Sequence, residues 1–332
     1  MKKNRKVLLT AAVAAMGAGA ILTAAIAVAE AYTNNTLDEL VAHNDNPATD
    51  YDAAIARFAQ VQAEEDDTIN PLCRSKMMTH GKKTERVIVL VHGMTNCPQQ
   101  FVEFAPLFFE QGYNVLIPCM PRHGLADRMT QELKYLTAQE LRDCGNMMVD
   151  IARGLGDHVT FLGISVGGSM AAWVAQHRSD VDKVAMIAPS IGFTNLGADR
   201  LTSFAIVLSH YLPNIASQYL FPFQDGPEYS YLGYSSRSIG EVMRFGKSTS
   251  KSAKNEKPAA KSILVVTNAA DTAVNSKMNL ALVKMWRSHG YDAIEEYQFS
   301  ADKKLIHDII DPQQVQQQTA LVYPILFDLI TR

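Results

Sequence analysis

Cysteine is scarce in this 332-residue chain, with four residues in all, and there are only two tryptophans. Four cysteines are too few for a disulfide scaffold, so folding must rest on a hydrophobic core. Neither sign of charge dominates, since 31 Lys and Arg stand against 34 Asp and Glu for a formal charge of −3. No basic stripe appears, which argues against nucleic acid as a partner because phosphate recognition needs concentrated Lys and Arg. Internal repeats, low-complexity tracts, an H-E-x-x-H zinc motif and a phosphate-binding P-loop are also missing. Gly154-Leu155-Gly156 follows a helical pattern instead of a strand, which disqualifies it as a dinucleotide turn. No metal or organic cofactor is expected. What is present, 47% hydrophobic and 20% charged residues, is the composition of a folded globular chain long enough for one large domain with an insertion.

The first thirty residues stand apart. Lys2, Lys3, Arg5 and Lys6 precede an uncharged run from Val7 to Ala29, the order that directs a chain to a membrane. As a helix those residues would rise about 34 Å, enough to cross a hydrocarbon core of roughly 30 Å. The run is dominated by alanine and ends in Ala27-Val28-Ala29 and Ala29-Glu30-Ala31, both small-x-small sites of the kind signal peptidases cut. Residues 1–31 are therefore read as a signal peptide or an N-terminal membrane anchor. Either way the rest of the chain is expected outside the cytoplasm, periplasmic, extracellular or anchored through residues 7–29. Export would let a disulfide persist. Cys73 to Cys97 is the expected bridge, on the expectation that Leu72 to Met78 and Arg86 to Val91 form a hairpin through Thr79 to Glu85. Cys144 shares an apolar helix face with Leu141, Met148, Ile151 and Leu155 and is read as a buried thiol.

Residues 32–85 read as an N-terminal appendage with one amphipathic helix, around Thr49 to Glu64, and the first hairpin strand. From Arg86 to the C-terminus, short apolar runs alternate with helical patterns, which predicts βα units and a mostly parallel sheet flanked by helices. The strands fall at Val87–Val91, Asn114–Pro118, Val159–Ile164, Lys183–Ala188, Ser262–Thr267 and Ala293–Phe299. Helices are expected from the capping box Thr137-Ala138-Gln139-Glu140 to Gly154, from Val166 to His177, and from Pro312 to Arg332. About seventy residues, 190–261, separate two neighbouring strands, too many for an ordinary connection. They are read as a cap insertion rich in Phe and Tyr, closing with Lys247–Lys261 as a solvated return loop.

The strongest chemical signal is Gly163-Ile164-Ser165-Val166-Gly167, a G-x-S-x-G between a strand and a helix. A serine at so sharp a turn takes strained backbone angles that expose its hydroxyl, and the flanking glycines let strand and helix pack close. The strand Val87–Val91 runs into His92-Gly93-Met94, where a backbone N–H can serve a developing oxyanion. Met94 and Val166 are the expected oxyanion-hole donors, and His92 is read as structural. A serine nucleophile needs a base, and the base needs a carboxylate. His307, in the loop before the last helix, is the expected base. Asp271, beyond the strand ending at Thr267, is the expected acid, with Asp308 as the second choice. The remaining histidines are read as structural.

The chain from Arg86 onward resembles the α/β-hydrolase superfamily, and most closely its esterase/lipase group, such as bacterial carboxylesterases and monoacylglycerol lipases. His92-Gly93, the Gly163–Gly167 elbow and the order Ser165, Asp271, His307 carry that resemblance. It implies an α/β-hydrolase fold, a lid over an acyl pocket at residues 190–261, and a serine hydrolase that cleaves a small apolar ester through an acyl-enzyme. Asn96-Cys97-Pro98 departs from the esterases that carry a further His-Gly-Gly run at this position. A transferase that passes the acyl group to an alcohol or thiol, and a non-catalytic binding protein on the same sheet, are the rival expectations.

Overall fold

A computed structural model of the chain describes residues 22–192, 199–224, 226–274 and 276–332. Most of the Val7–Ala29 run thus lies outside the described residues. Residues 22–37 are helical, and among the described residues no helix is long and apolar enough to cross a membrane. The chain continues through α1 (Tyr51–Ala63), β1 (Lys76–Met78), β2 (Thr84–Val91), α2 (Ala105–Glu110), β3 (Asn114–Ile117), α3 (Ala138–Leu155), β4 (Gly156–Ile164) and α4 (Val166–His177). After β5 (Lys183–Ile187) come the cap helices α5 (Asp199–Tyr211) and α6 (Ser236–Ala253). The remainder is β6 (Ile263–Asn268), α7 (Ser276–Ser288), β7 (Ile294–Phe299) and α8 (Thr319–Thr331).

The seven strands form one sheet in the order β1-β3-β2-β4-β5-β6-β7, parallel except at β1. Successive side chains of a strand point to opposite faces. Val87, Val89 and Val91 accordingly join the core under α1, α3 and α4, while Ile88 and Leu90 join the core under α2 and α8. Burial on both faces explains why these strands read as unbroken apolar runs. Helix α3 begins with the expected capping box, in which Thr137 and Glu140 bond each other's backbone amides. Cys144 is buried on its inner face, and burial pushes its thiol up to about 12.

Three expectations fail, each for a physical reason. The first is the hairpin: β1 does not pair with β2 but lies antiparallel on β3, with Lys76 opposite Ile117. That direction brings the start of β1 to the carboxyl ends of the parallel strands. Cys73 just before it meets Cys97 in the loop after β2, and the disulfide forms with Cα atoms 5.2 Å apart. The second concerns Lys247–Lys261, whose first half is not a solvated loop but the end of α6, with Lys247, Ser248, Thr249 and Ser252 buried. Gly246, where a Cβ would meet the Ile191 backbone, lets this helix pack closely in spite of its polar composition. Thirdly, the last helix starts at Thr319 and not at Pro312. The carboxylates of Asp308 and Asp311 accept the amides of Ile310, Asp311 and Gln313, holding that stretch in turns.

Candidate active site

The site lies at the carboxyl ends of the parallel strands, where an open α/β sheet leaves a crevice. Gly163 and Gly167 make the approach of β4 to α4 possible. A Cβ on Gly163 would sit 1.9 Å from the Gly167 carbonyl oxygen, and one on Gly167 would sit 2.2 Å from the Val91 carbonyl oxygen. Between them Ser165 has φ 57° and ψ −113°. A conformation of this kind costs on the order of 1–3 kcal/mol in a non-glycine residue. It is held by hydrogen bonds from Ser165 N–H to the Ile187 carbonyl (2.9 Å) and from Ser190 N–H to the Ser165 carbonyl (3.0 Å).

A cavity of about 500 Å³ is lined by Ser165, His307, Met94 and Gly93. Phe223, Ile306 and Val315 give it apolar wall, and Gln100, Gln224 and Gln314 give it polar wall. Of the other cap aromatics, Tyr211, Tyr219 and Phe221 are exposed and Tyr229 and Tyr231 are buried in packing. His307 Nδ1 donates to Asp271 Oδ2 at 2.7 Å. The Asp271 side chain is fully shielded from solvent. Burial alone would raise its carboxyl, but the bond from His307 and the amides of Ala273 and Val274 outweigh burial and hold it below the usual carboxylate range. The loops carrying acid and base are tied directly, because Asn268 Nδ2 donates to the carbonyls of Leu305 (2.9 Å) and Ile306 (3.1 Å).

Ser165 Oγ is hydrogen-bonded to Ser190 Oγ at 3.2 Å and not to His307. Val166 opens α4, so its N–H has no intrahelical partner. The Met94 N–H also has no acceptor among the described residues. The structure thus gathers Ser165, His307 and Met94 on one cavity, places Val166 beside it, and sets Asp271 behind the imidazole. Asp308 does not reach the ring as a substitute acid, because its carboxylate is engaged by Asn96, Gln314 and two backbone amides. Among the described residues no group of three or more His, Cys, Asp or Glu side chains is gathered to hold a metal ion.

His92 is buried in the loop that carries Met94. Its Nδ1–H donates to the Gly93 carbonyl (2.9 Å) and its Nε2 accepts the Met120 N–H (3.0 Å), so it orients the loop as a neutral ring. Burial, with His123 close by, pushes its pKa well below the usual histidine range. His123 packs against it, also buried, with Nδ1–H on the Pro121 carbonyl and no partner for Nε2. Burial lowers His123 to about 4. An unfolded histidine titrates near 6.5, so between these values the unfolded chain binds the extra proton and stability falls as pH drops from 7 toward 4. The contribution is about 1.4 kcal/mol per pH unit within that window. Denaturation midpoints between pH 7 and pH 4 should decline, and decline less in His123→Gln. An equal slope in the variant would remove His123 as a cause.

Known proteins share the fold that carries this site. A family model described as serine aminopeptidase, S33, matches residues 82–224, which include the Met94 loop and Ser165. A solved structure of the metagenome-derived lipolytic enzymes LipS and LipT superposes with a TM-score of 0.55 at 15% identity, covering 79% of this chain and 98% of that one. This chain has the α/β-hydrolase fold. The monoacylglycerol lipase of Paleococcus ferrophilus superposes on this chain with a TM-score of 0.57 at 15% identity, over 77% of this chain and 97% of that one. A soluble variant of the monoglyceride lipase of Saccharomyces cerevisiae gives 0.56 at 14% identity, over 77% and 89%. No curated protein sequence matches the chain.

Sequence reasoning missed Ser190, Asn268, Asn96, Asp311 and Tyr229. Asn268 lies only three residues before Asp271 at the end of a strand, a position where an amide side chain can bridge loops, but isolated Asn and Asp residues in loops carry no pattern that separates a bridge from an ordinary turn.

Proposed function

We propose that this α/β hydrolase is an exported serine hydrolase of carboxylic esters. The observation that carries the reading is the 2.7 Å bond from His307 to buried Asp271, with the imidazole on the same cavity as a strained serine at a strand-to-helix elbow. In this reading Ser165 exchanges its bond to Ser190 for one to His307 Nε2 and attacks the ester carbonyl. Catalytic hydrogen bonds in unliganded sites are often long and tighten once substrate is bound. His307 takes the serine proton and passes it to the departing alkoxide, while Asp271 fixes the tautomer and stabilises the imidazolium. The Met94 and Val166 amides receive the oxyanion, each such donor contributing about 3–4 kcal/mol to the transition state. Water, deprotonated by the same imidazole, then releases the acid and frees Ser165.

The cavity supports an ester of modest size, with its acyl part against Phe223, Ile306 and Val315 and its alcohol near the glutamines. A monoacylglycerol-like ester has that division. The Cys73–Cys97 bridge supports export, because disulfides persist in oxidising compartments. An activity-based fluorophosphonate probe should label the chain at Ser165, located by peptide mapping, and esters of graded acyl length should be turned over with release of free acid. Absence of labelling would sink the reading, and acyl transfer to an added alcohol exceeding hydrolysis would turn it into a transferase.

A further inference from the structure

Asn96 lies two residues beyond Met94 and is almost fully buried. Its Oδ1 accepts the Cys97 N–H at 2.8 Å. Its Nδ2 has two hydrogens and two carboxylate acceptors, Asp311 Oδ2 at 2.8 Å and Asp308 Oδ2 at 3.1 Å. Asp308 directly follows His307. Its other oxygen accepts the amides of Ile310 and Asp311, which folds the segment after the imidazole into a turn. Asp311 has no solvent exposure, and its Oδ1 accepts the Tyr229 hydroxyl at 2.7 Å and the Gln313 N–H at 2.9 Å. Tyr229 belongs to the cap, and two residues on Tyr231 N–H donates to the Thr95 carbonyl at 2.8 Å. Three segments distant in sequence, the Met94 loop, the His307 loop and the returning cap, therefore meet on one amide and two carboxylates.

From this junction we infer that Asn96 and Asp311 are the positioning pair that holds the Met94 amide and the His307 imidazole in a fixed mutual placement. The inference rests on the serine-hydrolase reading above. Asn96 lines the cavity, but neither residue is hydrogen-bonded to Ser165 or His307. Asn96 acts through the short backbone link to Met94, and Asp311, with Asp308, acts through the turn that begins at His307. The arrangement is a poor device for stability alone. Two carboxylates brought to one amide repel each other, and burial together with the Asp308 charge pushes Asp311 up to about 6. Buried polar clusters of this kind are often matched or bettered in stability by apolar side chains of similar volume. What apolar packing does not supply is direction, since three hydrogen bonds at defined angles fix the loops against sliding, and misplacement by about 1 Å can cost on the order of 10²-fold in rate.

The test uses the full chain with Ser165→Ala, Asn96→Ala and Asp311→Asn, assayed on a short p-nitrophenyl ester and by the rate of fluorophosphonate labelling. Asp311→Asn keeps the side-chain shape but sets an amide donor against the Asn96 donor, so it reports even where Asn96→Ala folds poorly. Both positioning variants are expected to lose about 10- to 100-fold in kcat with KM within about threefold of the parent, and to label more slowly by a similar factor. Activity retained in Ser165→Ala would overturn the serine-hydrolase reading and this role with it. An inactive Ser165→Ala alongside a folded Asp311→Asn within about threefold of parental kcat, or one altered in KM alone, would overturn the positioning role and leave that reading standing.

Discussion

Ser165→Ala and His307→Ala are each expected to lower kcat for a short p-nitrophenyl ester by on the order of 10⁶-fold, and Asp271→Ala by about 10⁴-fold. The ranking follows from the roles. Without Ser165 there is no nucleophile, and without His307 nothing takes its proton at neutral pH. Without Asp271 the imidazole is still present but has lost the acceptor that fixes its tautomer, and it faces a site that no longer stabilises its charged form. The three act as a unit, so Ser165→Ala combined with His307→Ala is expected to be no slower than either alone. Steady-state kinetics and probe labelling on all four proteins check this. A double variant as far below the singles as their product predicts would mean that the two side chains work independently, contrary to the proposed relay.

The second large effect is expected from the disulfide. Cys73 and Cys97 are separated by 24 positions, and closing a loop of that length removes unfolded-state entropy equivalent to about 3.5 kcal/mol at 25 °C. Cys73→Ser combined with Cys97→Ser should lower stability by roughly 2–4 kcal/mol, read as a shift of the urea midpoint, and reduction of the parent should give the same shift. Activity should fall as well under mild reduction, before global unfolding, because Cys97 N–H caps Asn96 Oδ1 and the bridge pins the start of the short helix at Pro98 to the strand system. A reduced protein with unchanged midpoint and unchanged turnover would show that the neighbouring packing holds the loop unaided.

How much of this was legible in the sequence depended on whether a feature leaves a periodic or local mark. Strands covered on both faces are largely apolar, so β2 to β6 are legible within three residues at every boundary, and β7, a half-exposed edge strand with Ile294 and Phe299 buried at its ends, is legible within one. The elbow was legible because strained backbone, close approach and an exposed hydroxyl demand glycines at fixed offsets from Ser165. Asp271 and His307 were found from their places after strands and from a family resemblance, not from any pattern of their own. The pairing of β1 was not legible, since a three-residue strand carries too little side-chain information to choose between two neighbours in space. The second half of α6 was hidden by its Lys and Ser content, which reads as solvent-facing until the small residues around it are seen to permit close packing. Asn96 and Asp311 left no trace at all, being ordinary loop residues whose meaning arises only when chain segments more than two hundred positions apart are brought together.

The indole nitrogen of Trp173, a fully buried side chain on α4, donates to the carbonyl of Leu40 at 2.8 Å, and the Ala48 amide donates to the Asp150 carbonyl on α3 at 2.8 Å. Phe58 and Ala54 of α1 are entirely enclosed against the same helices. Trimming the chain to residues 82–224 would strip off a wall of the interior, leaving bare hydrocarbon and an unanswered donor at the back of the helix that follows Ser165. Expression boundaries for this protein therefore belong upstream of Leu40, and a fragment starting near position 82 should come out insoluble.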